Sequence, residues 1–189
     1  MPKSSAYPQL SLARLLACIL SLYASLATAD WRTALPNEQL IGTAEFSLYG
    51  FDLYKARLWS STAQPSWRSP FALELIYHRA ITKDALIEAS LEQIQQITDD
   101  DVYQHRSAVW AEHMRHSFVD VQPGTRITGV YLPGLGCHFY VDGRLQHEVA
   151  DPQFAKLFFA IWLGPQTRYP ELRAQLMGLQ AMADQAQQP

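Results

Sequence analysis

"VQPGTRITGVYLPGLGCHFYVDGRL", residues 121–145, alternates turn and strand three times over. Pro123-Gly124 is a turn signal, Thr125–Leu132 is a β-favouring run, Pro133-Gly134 turns the chain again, and Cys137–Val141 is a second run. Asp142-Gly143 is the strongest two-residue hairpin signal in the chain and leads into the strand-like Arg144–Val149. Turns this short join antiparallel neighbours, because a parallel crossover takes about a dozen residues or more. The stretch therefore sets the fold class around hairpins in an antiparallel sheet.

Upstream, Gln39–Tyr49 and Asp52–Trp59 flank Gly50 and predict another hairpin. In the second of these runs Tyr54, Ala56 and Leu58 share one face, with Lys55, Arg57 and Trp59 on the other. After a Ser/Pro-rich loop at 60–70, "FALELIYHR" places Phe71, Leu73, Leu75, Tyr77 and Arg79 on one face, and Ala72, Glu74, Ile76 and His78 on the opposite one.

Two helical patterns follow. Thr82 is an N-cap candidate before a stripe of Ile87, Leu91, Ile94 and Ile97. Thr98 with Asp99–Asp101 suits a helix start through capping and the macrodipole, ahead of Val102 or Tyr103, Val109, Trp110, Met114 and Phe118. Downstream of the hairpins, Asp151 caps a helix with Pro152 at its first position, a stripe of Phe154, Leu157, Phe158, Ile161 and Trp162, and Gly164 as its stop. A last helix begins at Pro170 and turns Leu172, Leu176 and Leu179 inward. Strands, helices, hairpins and helices in that order predict an α+β domain, an antiparallel sheet with helices packed on one face. Alternating parallel units are missing from the pattern, so no nucleotide crevice is expected.

The N-terminus reads as a secretory signal peptide over residues 1–29. Lys3 and Arg14 supply its positive charge, Leu15–Leu26 its apolar run, and Ala27-Thr28-Ala29 its small-residue cleavage site. The apolar run is short against the roughly 20 residues that a membrane span needs. Export to the periplasm follows, leaving a domain over 30–180 and a frayed Ala/Gln/Asp tail over 181–189. Acylation at Cys18 is the lesser alternative, since Arg14 leaves only a few apolar residues ahead of it. With a formal net charge of −3 and no basic run, nucleic acid is not an expected partner. Cys137 is then the one remaining thiol, unable to form an internal disulfide and best placed in the core.

Few residues announce chemistry. His113 and His116 lie three apart on one predicted helix, but no Cys or carboxylate at familiar zinc spacing joins them, and the aspartate run lacks the glycine and spacing of a calcium loop. Phosphate loops, nucleophile elbows and Cys-x-x-Cys pairs do not occur, so neither a cofactor nor a catalytic residue is assigned. The candidate ligand-binding residues are Tyr77 with Arg79 and Tyr54 with Arg57, because an arginine beside tyrosine hydroxyls at the rim of an apolar cavity suits a carboxylate whose tail is buried. The plainer reading of Arg79 is a strand end emerging into water.

"GTAEFSLYGFDLYKARLW", "FALELIYHRAITKDALIEAS", the opening stretch and "FFAIWLGPQTRYPELRAQLMG", in this order, resemble the chalcone isomerase-like superfamily, most closely its exported bacterial branch. The resemblance implies an antiparallel sheet covered on one face by helices, with a ligand cleft between them. It also implies where chalcone isomerase activity would reside: the family's catalytic Arg falls on Ala44, its Thr near Tyr54, its Tyr near Leu86 and its Asn near Gln93. None of the four is kept, and alanine cannot hold a phenolate. Non-catalytic relatives in the superfamily include fatty-acid binders, so a small amphipathic ligand, fatty acid-like, is the expected partner. Two other readings stand beside it: an isomerase or lyase with a rearranged site using Tyr54, Arg57 or His138, and a structural or partner-binding envelope protein.

Overall fold

A computed structural model describes residues 30–179; the expected signal peptide, the Cys18 alternative and the expected tail lie outside them. Its strands are β1 (Gln39–Leu48), β2 (Phe51–Ser60), β3 (Phe71–Tyr77), β4 (Arg126–Leu132), β5 (Gly136–Val141) and β6 (Arg144–Val149). They lie side by side in chain order, each antiparallel to the next. The excursion between β3 and β4 carries helices α1 (Lys83–Gln96) and α2 (Asp100–Ser117), and α3 (Pro152–Leu163) and α4 (Pro170–Leu176) follow β6. The α+β reading holds.

Turn chemistry explains the hairpins. Asp142 and Gly143 both have positive φ, 48° and 81°, as a mirror-type two-residue turn requires. The Asp142 carboxylate also accepts the Arg126 N–H at 2.9 Å, tying the turn to the neighbouring strand. Tyr49 and Gly50 adopt the same geometry, with φ of 51° and 79°, although tyrosine gains nothing from the left-handed region.

The helix starts follow their caps. Thr82 accepts the Ala85 N–H, and one Asp151 oxygen accepts the N–H groups of Gln153 and Phe154, both at 3.0 Å. Its other oxygen accepts Arg106 Nη2 at 2.6 Å, which joins α2 to the start of α3. The start of α2 departs from expectation: the cap is Asp99 rather than Thr98, and its side chain makes no capping hydrogen bond. The aspartates there act through the helix dipole alone. Two predicted stripe residues, Val109 and Leu179, are exposed; Leu179 misses because the last helix ends at Leu176 and Gly178, at φ 66°, turns the chain away before it.

Nearly all of the core lies between the sheet and the helices, where α3 buries Phe154, Phe158, Phe159, Ile161 and Trp162 against Leu58, Leu73 and Phe139. Gly129 makes room for the Phe159 ring, since a Cβ there would sit 2.9 Å from it. Cys137 is buried in this core, and burial pushes its thiol pKa up, which makes it a packing residue rather than a nucleophile. On the opposite face a 3-10 turn, Trp31–Ala34, lays Trp31 and Leu35 over Ala72, Val130 and Tyr140. The sequence reading assigns no element to this segment.

Candidate functional site

A cavity of about 440 Å³ opens where the inner face of β1–β4 meets α1, α3 and the loop before α4. Its floor is Phe46, Tyr54, Leu75, Tyr77 and Ile127. These follow from strand phase: Tyr54 pairs with Phe46 on one side and Tyr77 on the other, so three rings fall in one row across the sheet. Phe46 and Tyr54 stack at 4.9 Å, and Tyr54 meets Tyr77 edge-on at 5.9 Å.

Helix periodicity builds the walls. On α1, Leu86, Ala89, Ser90 and Gln93 line the cavity, one face over from the buried Ile87 and Ile94. On α3, Phe158, Ile161 and Trp162 do the same. The mouth is formed by Leu48 and Tyr49 of the first hairpin, Glu92 of α1, and Arg168 and Tyr169 of the 164–169 loop. That loop is held by Thr167, whose hydroxyl donates to the Ile161 carbonyl at 2.6 Å and accepts the Tyr169 N–H at 3.2 Å. Tyr169 then packs edge-on against Phe46 at 4.8 Å.

The polar groups are few. Trp162 Nε1 donates to the Tyr54 hydroxyl at 2.9 Å, leaving that hydroxyl's own proton free to donate. Tyr77 stands beside it in the lining. Burial raises the pKa of both phenols well above the ordinary value. For Tyr54 the Trp162 hydrogen bond works against that rise and the nearby Tyr169 adds to it, while for Tyr77 the proximity of Tyr54 adds to it. Both are therefore neutral donors at any physiological pH. Only at the mouth does charge appear, where Arg168 Nη1 stands 3.6 Å from Glu92 Oε1, both largely solvated.

Of the four residues the sequence nominates, Tyr54 and Tyr77 reach the cavity and the two arginines do not. Arg57 projects from the other face of β2 and lies 3.5 Å from the buried Glu74 across the β2–β3 ladder. Arg79 misses because β3 ends at Tyr77, so alternation no longer fixes its direction; it is exposed, its guanidinium 4.5 Å from the Phe51 ring centre. The alternative trio of Tyr54, Arg57 and His138 does not converge either, since His138 alternates with the core residues Cys137 and Phe139 and faces Glu148 at 3.9 Å. Arg168 is not among the four; the sequence reading sets it, with Thr167, at the border of a ligand's doorway without assigning it a role, and it lines the mouth. Its only sequence signal is its place in a short polar loop between two capped helices.

The positions matched to the catalytic set share this neighbourhood. Tyr54, Leu86 and Gln93 line the cavity, and Ala44 is buried in the adjoining core. A model of the chalcone isomerase-like family matches residues 42–178, most of the chain.

The chain belongs to the chalcone isomerase-like family.

An uncharacterised protein of Haemophilus influenzae is 27% identical to this chalcone isomerase-like chain over 162 residues, spanning 84% of this chain and 77% of that one. A crystal structure of a fatty-acid binding protein of Arabidopsis thaliana superposes with a TM-score of 0.53 at 11% identity, covering 77% of this chain and 89% of the plant protein. At that identity the likeness establishes the fold.

Proposed function

We propose that this chalcone isomerase-like protein is a periplasmic, non-enzymatic carrier of a small amphipathic ligand, fatty acid-like, held tail-inward in the sheet-helix cavity. The observation that carries the reading is the distribution of polarity: aromatic and aliphatic walls, two neutral phenols within, and a single cation at the mouth. A carboxylate deep in the cavity would lose its hydration with no cation to replace it. At the mouth it meets Arg168 while still solvated, and the chain then fills the space lined by Leu75, Ile127 and Phe158. The interior lining offers no carboxylate, histidine or lysine to move a proton, and the two phenols are poor bases. The name of the plant neighbour, a fatty-acid binding protein, supports the same ligand class.

Mass spectrometry of organic extracts from purified protein tests the reading, with co-purified fatty acids expected. Arg168→Gln should weaken a fatty acid by up to about fivefold, as a solvated ion pair allows, and leave the corresponding fatty alcohol unchanged. No extracted lipid and no thermal shift with added fatty acids would sink the proposal.

A further inference from the structure

The first hairpin ends in a tip that works against its own stability. Tyr49 is 91% exposed and sits at φ 51°, in a turn where asparagine or glycine is at ease and a bulky side chain is strained. It makes no compensating burial in the folded chain. Its neighbours Leu48 and Phe51 are 40% and 56% exposed, so three apolar side chains stand together in water. Backbone strain combined with an exposed aromatic points to something gained outside the monomer.

Where the tip stands says what that is. Leu48 and Tyr49 also line the cavity mouth, so the exposed apolar tip borders the ligand site directly. Beside it Arg79 lies over Phe51 and forms no ion pair among the described residues, leaving a cation with its aliphatic stem against an aromatic ring. Amphipathic aromatics flanked by an arginine match the water-lipid boundary, where rings sit at headgroup depth and guanidinium groups meet phosphate. No helix among the described residues is long and apolar enough to cross a membrane; a hairpin tip of this size reaches only the interfacial layer.

We infer that the Leu48–Phe51 tip docks on a phospholipid bilayer, setting the cavity mouth against the membrane so that the ligand moves between them without crossing water. The inference extends the carrier reading above, and its docking step is measurable without any cavity ligand. Delipidated protein is mixed with vesicles of phosphatidylethanolamine containing a minority of phosphatidylglycerol, and binding is read by flotation. The wild type should float with the vesicles. Tyr49→Asn and Phe51→Ser should each weaken partition by roughly tenfold, the scale of withdrawing one large apolar side chain from lipid. Tyr49→Asn should keep or raise the thermal midpoint, because asparagine tolerates the turn. Leu135→Asn, at an exposed leucine in the β4–β5 turn at the other end of the sheet, should float as wild type does.

Leu86→Trp, which fills the cavity, should also float normally. Wild-type protein that floats but shows no thermal shift with added fatty acids would remove the carrier reading alone. The docking inference is overturned if the wild type stays in solution, or if Tyr49→Asn floats equally well. It is also overturned if Leu135→Asn is lost alongside it, or if sedimentation shows a dimer that Tyr49→Asn dissolves, making a second copy the cover of the tip.

Discussion

Arg79 and Arg168 show what a single side chain owes to its sequence and what it owes to the fold. Alternation places Arg79 in phase with Tyr77 only while the ladder continues, and the ladder to β2 and β4 stops at Tyr77 and Ile76. Arg168 has no periodicity to reveal it; the mouth exists only because α3 stops and α4 starts beside α1. The two histidines His113 and His147 were likewise unreadable as a pair before α2 was laid beside β6. Burial lowers the pKa of His113, aided by Arg106 and His116 and opposed by Asp151. Burial also lowers that of His147, aided by His116 and His113 and opposed by Glu148. Below the ordinary value of 6.5 the unfolded chain thus binds more protons than the folded one. Stability is therefore full above that pH and is lost as pH falls through the window beneath it. Urea midpoints at about pH 7.5 and about pH 5.5 should differ in that sense, and His147→Gln should narrow the difference.

Elements were legible where local chemistry dictates them. Asp142-Gly143 and Gly50 specify turns through the left-handed region, and Thr82 and Asp151 specify helix starts through side-chain acceptors, so hairpins and caps could be read without tertiary information. The Trp31–Ala34 turn could not, because its position depends on a patch assembled from β3, β4 and β5. The same holds for the contact between α4 and β1, where Gly42 lets the helix end rest directly on the strand. A Cβ at Gly42 would lie 2.1 Å from the Gln175 carbonyl oxygen and 2.5 Å from that of Leu176. Gly42→Ala must push α4 outward, at a loss of roughly 1–3 kcal/mol. Since Tyr169 is the residue that leads into α4 and its ring packs on Phe46 at the mouth, ligand affinity should fall with stability. Denaturation by urea and ligand titration of the same variant check both effects; a Gly42→Ala protein as stable as wild type would mean that α4 does not approach β1 so closely.

For the whole molecule, a cavity of about 440 Å³ next to the main core is a deficit of packing that a bound ligand removes. Binding to the folded state alone couples occupancy to global stability, by about 2.7 kcal/mol when free ligand stands at a hundred times its dissociation constant. In a domain of this size each kcal/mol moves the midpoint by roughly 2–4 °C, so a saturating fatty acid should raise it by roughly 5–10 °C. Leu86→Trp separates filling from binding. Leu86 is partly buried on α1 and lines the cavity, so the larger ring enters space that is already there. The ligand-free variant should melt at or above the wild-type temperature, while the shift on adding fatty acid should disappear. If Leu86→Trp instead keeps the full shift, the ligand occupies some other part of the molecule, and the row of Phe46, Tyr54 and Tyr77 is packing rather than a binding floor.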